Sequence, residues 1–204
     1  MYYCTHRHNG IEHPNCYIRY KEKSGGRIGY LDIESSNLDA DFGVMYSWAI
    51  KTKGSNEILT DRMTRKDALS YRYDRELVRS LTDAISTYDI IYTYYGSRFD
   101  IPYIRTRAMF YREAFPLNNS VTHVDLWFAA RSKMKLHSNR LANVTSFLGI
   151  EGKTPIDSKY WVQALSGNDT ALRYIQKHNI ADVKILEKFH ERIEPYMGVR
   201  NTSI

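Results

Sequence analysis

The sequence predicts an α/β fold in which a mixed sheet carries helices on both faces. Two observations lead to this prediction. Strand-like runs come first along the chain and give way to alternating strand and helix patterns, and one helical stretch lies between two apolar strands. A helix between neighbouring strands makes a crossover connection, which leaves those strands parallel. This order of elements is typical of a sheet layered with helices.

Length and composition describe an ordinary globular protein. The chain has 204 residues, of which 43% are hydrophobic and 25% charged, which suits one domain with a sizeable core. No apolar run of about 18 residues is present, and the start MYYCTHRHNG has no signal-peptide core. We therefore expect an intracellular, cytoplasmic protein with no membrane partner. The net charge of +6 is compatible with a polyanionic partner but does not identify one.

The first part of the chain predicts an antiparallel meander. Alternation indicates a strand over residues 28–34, with Asp32 and Glu34 on the same face. Residues 44–51 predict a second strand and residues 57–60 a short third one.

The rest of the chain alternates between helix and strand. Residues 74–88 show a helical apolar stripe and residues 90–94 read as a buried strand. Asp100 is expected to open the next helix, because a carboxylate suits a helix N-terminus and Pro102 is tolerated in the first turn. The remaining predicted elements are a strand at 122–126 and helices at about 139–149, 157–166 and 170–194.

Several polar residues occupy positions that belong to a core. Asp32 and Glu34 share one face of an apolar strand, and burying such a pair is costly without a counter-charge. His178 and Asp182 interrupt the apolar stripe of the last helix, where each needs a partner. Simpler interpretations are solvated acids on an edge strand, a core His–Asp pair, and an N-cap role for Asp100. The combination favours a divalent metal site.

Three segments resemble motifs I, II and III of the DEDD (DnaQ-like) 3′–5′ exonucleases, which have an RNase H-like fold. They are residues 32–38, 96–103 and 178–183. The three motifs most resemble those of the proofreading domains of family B polymerases and their stand-alone relatives. These relatives also carry a segment that is similar to residues 122–126. The similarity extends over about residues 27–195. Each motif is a weak signal alone, but three of them in the right order are a strong signal for this family.

The resemblance implies a metal-dependent 3′–5′ exonuclease. Asp32, Glu34, Asp100 and Asp182 would hold two Mg²⁺ or Mn²⁺ ions, which clamp the attacking and leaving oxygens of an in-line phosphoryl displacement. His178 has the spacing of the tyrosine subtype of motif III, and we expect it to replace that tyrosine as base or water-orienting group. Single-stranded DNA is the favoured substrate and RNA the other candidate.

Other functions stay open at this point. A non-catalytic RNase H-like module would bind nucleic acid without turnover, and an endonuclease or ribonuclease can use the same metal centre. Tyr95 stands where these relatives often carry asparagine and could stack on a base. Arg98, Arg131, Lys133 and Lys135 could line a phosphate path, although each alone could be a solvated surface charge.

The N-terminal segment predicts a second kind of metal site. Cys4 with His8, and His13 with Cys16, form two ligand pairs around a predicted turn, and this spacing suits one structural Zn²⁺. His6 could replace His8, and the alternative is a flexible His-rich terminus with two free thiols. The predicted organisation is a zinc-binding extension at 1–20, a linker at 21–26 and an RNase H-like exonuclease domain at 27–204.

Overall fold

The structure places one mixed sheet between two layers of helices, which confirms the predicted α/β class. The computed structural model describes residues 14–70, 72–116, 120–152 and 157–197. The strands in these ranges are β1 (Ile28–Ser35), β2 (Met45–Thr52), β3 (Ile58–Arg62), β4 (Ile90–Thr93) and β5 (Thr122–Asp125). The helices there are α1 (Pro14–Lys23), α2 (Arg65–Ala68), α3 (Arg75–Ile85), α4 (Asp100–Tyr111), α5 (Leu126–Lys133), α6 (Leu141–Phe147), α7 (Ser158–Leu165) and α8 (Asp169–Met197).

The sheet has the strand order β3-β2-β1-β4-β5. β1 pairs antiparallel with β2, and β2 antiparallel with β3, so the predicted meander is confirmed. β1 pairs parallel with β4, and β4 parallel with β5. The predicted parallel pair after the helix is thus present: α3 leads to β4, whose parallel partner is β1 at the centre of the sheet.

The core lies on both faces of the sheet because side chains along β1 alternate. Leu31 and Ile33 pack with the apolar side chains of α3 and α4. Tyr30 points the other way and packs with α5, α6 and the second half of α8. Asp32 and Glu34 share the face of Tyr30, so the two carboxylates point toward α8.

Three helices, α1, α2 and α5, were not predicted from the sequence. α2 is a single turn, closed by a capping box between Thr64 and Asp67. α5 starts directly after β5 because Asp125 caps it by accepting a hydrogen bond from the Trp127 N–H group. Such short helices carry too little apolar periodicity to stand out in the sequence.

α1 crosses the predicted boundary between the N-terminal extension and the linker. Its last residues, Lys21–Lys23, are helical. The helix is held to the sheet because Lys21 Nζ lies 2.6 Å from Asp89 Oδ1, and the chain turns at Gly25, which has φ of 77°. In the part of the chain that the structure describes, no helix is long and apolar enough to cross a membrane.

Candidate active site

Two of the predicted carboxylates stand at the carboxyl-terminal end of β1. Asp32 and Glu34 lie on one face, between β2 and β4. The pairing with β2 becomes irregular directly afterwards, because Glu34 faces Ser47 whereas Ser35 faces Met45. Irregularities of this kind often lie beside active sites, where they aim a side chain away from the regular pleat.

Asp100 reaches the same place from the neighbouring strand. It is the first residue of α4, and its Oδ1 accepts a hydrogen bond of 3.1 Å from the Ile33 N–H group on β1. The turn before α4 is tight: a Cβ atom at Gly96 would lie 2.2 Å from Thr93 Oγ1. Glycine is therefore required there, and the turn brings the buried carboxylate beside Asp32 and Glu34.

α8 supplies the remaining two predicted residues. His178 and Asp182 lie one turn apart on its buried face. His178 Nε2 lies 3.9 Å from Glu34 Oε1 and 3.8 Å from Asp182 Oδ2. One possible ligand atom from each of these three residues lies within 4.8 Å of those of the others. The structure therefore brings together side chains that are far apart in sequence.

One residue of this site was missed in the sequence. The Asn179 Nδ2 group donates a hydrogen bond of 2.6 Å to Asp32 Oδ2, and its Oδ1 accepts one of 3.3 Å from Ser47 Oγ. Asn179 is fully buried. The signal was present, because Asn179 stands three residues before Asp182 and therefore on the same apolar face of the helix.

The site concentrates negative charge in a buried place. Burial raises the pKa of Asp32 well above its ordinary range, and the nearby carboxylates of Glu34, Asp100 and Asp182 raise it further. Burial is also the largest cause that raises the pKa of Asp100 to about 7. A divalent cation would offset this repulsion, and carboxylate oxygens are the ligands that Mg²⁺ and Mn²⁺ prefer. The carboxylates of this site are therefore suitable ligands for Mg²⁺ or Mn²⁺.

An open cleft adjoins these carboxylates and offers room for a substrate. Its volume is about 330 Å³. It is lined by residues 34–38, Phe99, Ser158 and Trp161. The Trp161 ring also meets the His178 ring edge-on, with the centroids 6.0 Å apart. The cleft therefore gives access to the Glu34–His178 side of the site.

The residues predicted to bind nucleic acid lie beyond the ends of β4 and β5. Tyr95 and Arg98 lie on the loop between β4 and α4, and both are exposed. Arg131 is exposed on α5, where its guanidinium group lies 5.2 Å from the centre of the Trp127 ring. Lys133 is the last residue of α5. Lys135, two residues further on, is exposed.

The predicted zinc site lies almost entirely outside the described residues. This applies to Cys4, His6, His8 and His13. Cys16 is half-buried within α1. The structural Zn²⁺ therefore stays a prediction, and metal analysis of the purified protein beside a Cys16→Ser variant tests it; absence of stoichiometric zinc from the wild-type protein would contradict it.

The fold and the site define the class of protein. Residues 29–194 match the RNase_H superfamily, and the chain belongs to this superfamily of nucleases. The chain is similar to a DNA polymerase of Methanocaldococcus jannaschii, with 28% identity over 145 residues, which cover 60% of this chain and 8% of the polymerase.

The structure also resembles a family B DNA polymerase from the hyperthermophilic archaeon Pyrobaculum calidifontis. The TM-score is 0.67 at 20% sequence identity, over 84% of this chain and 25% of that one. The chain thus spans a quarter or less of the length of these two polymerases. These comparisons confirm the predicted RNase H-like fold and the predicted similarity to polymerases of this kind.

Proposed function

We propose that the protein is a divalent-metal-dependent 3′–5′ exonuclease of the DEDD type that hydrolyses single-stranded nucleic acid, with DNA as the favoured substrate. One observation carries the proposal. Asp32 and Glu34 from β1, Asp100 from α4 and Asp182 from α8 converge on one buried site beside an open cleft. Repulsion among buried carboxylates is costly to a fold and is typical of a site that holds cations.

The four carboxylates would hold two Mg²⁺ or Mn²⁺ ions. When bound, the ions supply Lewis-acid activation and neutralise the charge that develops on the phosphoryl group. Asn179 donates to one oxygen of Asp32 and thereby fixes that carboxylate. Asp100 is fixed in the same way by the Ile33 N–H group. Fixed ligands lose less entropy when a cation binds.

His178 is the group that we propose to orient or deprotonate the attacking water. Its Nε2 atom is directed toward Glu34 and Asp182, within 4 Å of both. Imidazole nitrogens are the groups that enzymes use most often as general bases. The Trp161 ring beside it limits the orientations of the imidazole.

A nuclease assay tests the proposal. The substrates are 5′-labelled linear strands and circles of DNA and RNA, each with Mn²⁺ or Mg²⁺ and again with EDTA. We expect a metal-dependent ladder shortened from the 3′ end of linear single strands, with circles intact. Asp32→Asn and Asp182→Asn should abolish it, and Asp83→Asn, which changes an exposed acid on α3, should not.

The same assay separates the competing functions. Cleavage of circles would show an endonuclease on this metal centre, and degradation of RNA alone would show a ribonuclease. Binding of nucleic acid without any metal-dependent turnover would show a non-catalytic module. Cleavage that survives both Asp32→Asn and Asp182→Asn would refute the assigned site.

A further inference from the structure

Three aromatic side chains form a contiguous exposed surface beyond the ends of β4 and β5. Tyr95 is 43% exposed and Phe128 is 48% exposed, and the half-buried Trp127 stands between them. The Tyr95 and Trp127 rings meet edge to face with centroids 5.3 Å apart, and the Trp127 and Phe128 rings do so at 5.1 Å. We call Tyr95, Trp127 and Phe128 the aromatic platform.

A single carboxylate holds the two segments of the platform together. Asp125 Oδ1 accepts hydrogen bonds from the Tyr95 N–H group at 2.8 Å and from the Trp127 N–H group at 3.0 Å. Its Oδ2 accepts one from the Ser97 N–H group at 2.9 Å. Asp125 is itself buried. The hydrogen bonds to Asp125 therefore fix the position of Tyr95 relative to Trp127.

Tyr95 is held in an unfavourable backbone conformation. Its φ is 67°, in the left-handed region that a tyrosine seldom adopts. Such a residue costs free energy, and residues of this kind cluster at ligand sites. Here the hydrogen bond to Asp125 stabilises the conformation, which leaves the phenol ring against Trp127 and partly in solvent.

The platform lies at the same edge of the sheet as the carboxylates. β1, β4 and β5 are parallel neighbours, so their carboxyl-terminal ends lie side by side. β5 is two strands away from β1, a separation of about 10 Å at the usual strand spacing. A single strand of nucleic acid covers that distance with about three stacked nucleotides.

The charge around the platform matches a phosphate backbone. Arg131 lies over the Trp127 ring, and Arg98 is exposed on the loop that carries Tyr95. Within the described ranges, neither arginine forms an ion pair with an acidic residue. Exposed aromatic rings beside basic groups are the combination with which proteins bind single strands.

We propose that Tyr95, Trp127 and Phe128 stack on the bases of single-stranded nucleic acid, and that Arg98 and Arg131 contact its phosphates. The proposal rests on the proposed function, because it assumes that the strand bound by the platform is the one whose end is cleaved at the carboxylates. A base in a duplex has no free face for such stacking, so the platform selects unpaired strands.

Fluorescence anisotropy in EDTA tests this inference without any cleavage. The probe is a fluorescein-labelled oligothymidylate, compared with a duplex of equal length. Trp127→Ala and Phe128→Ala should each weaken binding of the single strand roughly 5- to 150-fold, the usual effect of losing one base–aromatic contact. Trp127→Phe keeps an aromatic ring and should restore most of the affinity.

The matched control is Phe110→Ala. Phe110 is 70% exposed, more than any platform residue, but lies ten residues after Asp100 on α4, about 15 Å along the helix. This variant should bind like the wild-type protein. Circular dichroism of each variant shows whether the fold is kept.

The outcomes are distinct. A loss of single-strand affinity in folded Trp127→Ala and Phe128→Ala, with rescue by Trp127→Phe, supports the platform whether or not the protein cleaves. Wild-type affinity in both alanine variants overturns the platform while leaving the nuclease assay to judge the active site. An equal loss for the duplex probe also overturns it, because stacking on unpaired bases would then not be the cause.

Discussion

Asn179 and Asp32 are 147 residues apart in sequence, yet the Asn179 amide donates a 2.6 Å hydrogen bond to one carboxylate oxygen of Asp32. The other end of the amide accepts from Ser47 on β2. Asn179 therefore connects α8 to β1 and β2 and at the same time limits the rotation of a proposed metal ligand. A metal site needs carboxylates that are held in a fixed orientation.

We expect Asn179→Ala to reduce nuclease activity about 10- to 100-fold, the usual cost of removing a group that orients a metal ligand. Part of the loss should be recovered at higher Mn²⁺ concentration, because the ligand is still present but less well oriented. The measurement is kcat against metal concentration. Asn143→Ala removes another amide, which donates to the Ser138 carbonyl, and serves as the control. An unchanged metal requirement in Asn179→Ala would contradict the assigned role.

The second prediction concerns stability without metal. The folded-state pKa of Asp32 is raised by burial and by three neighbouring carboxylates. Its ionisation therefore opposes folding, and stability falls as the pH rises through that pKa. At pH 8 in EDTA we expect Asp32→Asn to have a higher Tm than the wild-type protein.

Thermal unfolding with and without Mn²⁺ completes the test. The wild-type protein should gain Tm from Mn²⁺, because a bound cation offsets the repulsion among the carboxylates. Asp32→Asn should gain much less. Asp83→Asn should behave like the wild-type protein in both conditions. A lower Tm of Asp32→Asn in EDTA would show that Asp32 stabilises the fold instead of opposing it.

The third prediction concerns the buried ion pair between Arg107 and Asp74, which contacts the segment that joins β1 to β2. Arg107 Nε donates to Asp74 Oδ2 at 3.0 Å, and its Nη1 donates to the Ala40 carbonyl at 3.1 Å. Asp74 Oδ2 also accepts from the Met45 N–H group at 2.7 Å. Arg107 and Asp74 thus hold the middle and the C-terminal end of a segment whose first residues line the cleft.

Arg107→Met should lower the free energy of unfolding by about 3–5 kcal/mol, because it leaves the Asp74 carboxylate buried without a counter-charge. Urea unfolding monitored by circular dichroism measures the change. Arg105→Met changes an exposed arginine on the same helix and should cost less than about 1 kcal/mol. Similar losses in the two variants would refute the structural role of this pair.

The fourth prediction concerns His190, in the C-terminal half of α8. The Nδ1 atom of His190 is hydrogen-bonded to the Tyr30 hydroxyl group over 2.8 Å, and its ring lies 4.1 Å from the ring of Tyr92, measured between centroids. Burial lowers the pKa of His190 from 6.5 to about 4. The unfolded chain therefore takes up a proton at a pH where the folded protein does not. The stability from neutral His190 is complete above pH 6.5 and is lost as the pH falls toward 4.

Between pH 7 and pH 5 this group should cost the wild-type protein about 2 kcal/mol of unfolding free energy. His190→Gln can still hydrogen-bond to Tyr30 but does not titrate, so its stability should depend less on pH over this interval. His137→Gln replaces an exposed histidine and is the control. Equal pH dependence of His190→Gln and the wild-type protein would contradict the prediction.

Many features of the fold could be predicted from local patterns. Alternation along residues 28–34 placed Asp32 and Glu34 on one face, and the structure has both toward α8. The helical stripe of residues 74–88 before an apolar strand predicted a crossover and a parallel pair, and the structure supplies β1 as the parallel partner of β4. These predictions hold because each depends on residues that are close in sequence, where side-chain direction follows from the period of the strand or helix.

The sequence by itself determined the RNase H-like class and predicted a set of acidic residues for the site, since motif order and side-chain periodicity are local properties. Only the tertiary structure decided which groups meet. It brought Asn179 to Asp32 and used Asp125 to join Tyr95 to Trp127. Such contacts depend on how helices pack across a sheet, and packing is set by side chains of the whole core acting together.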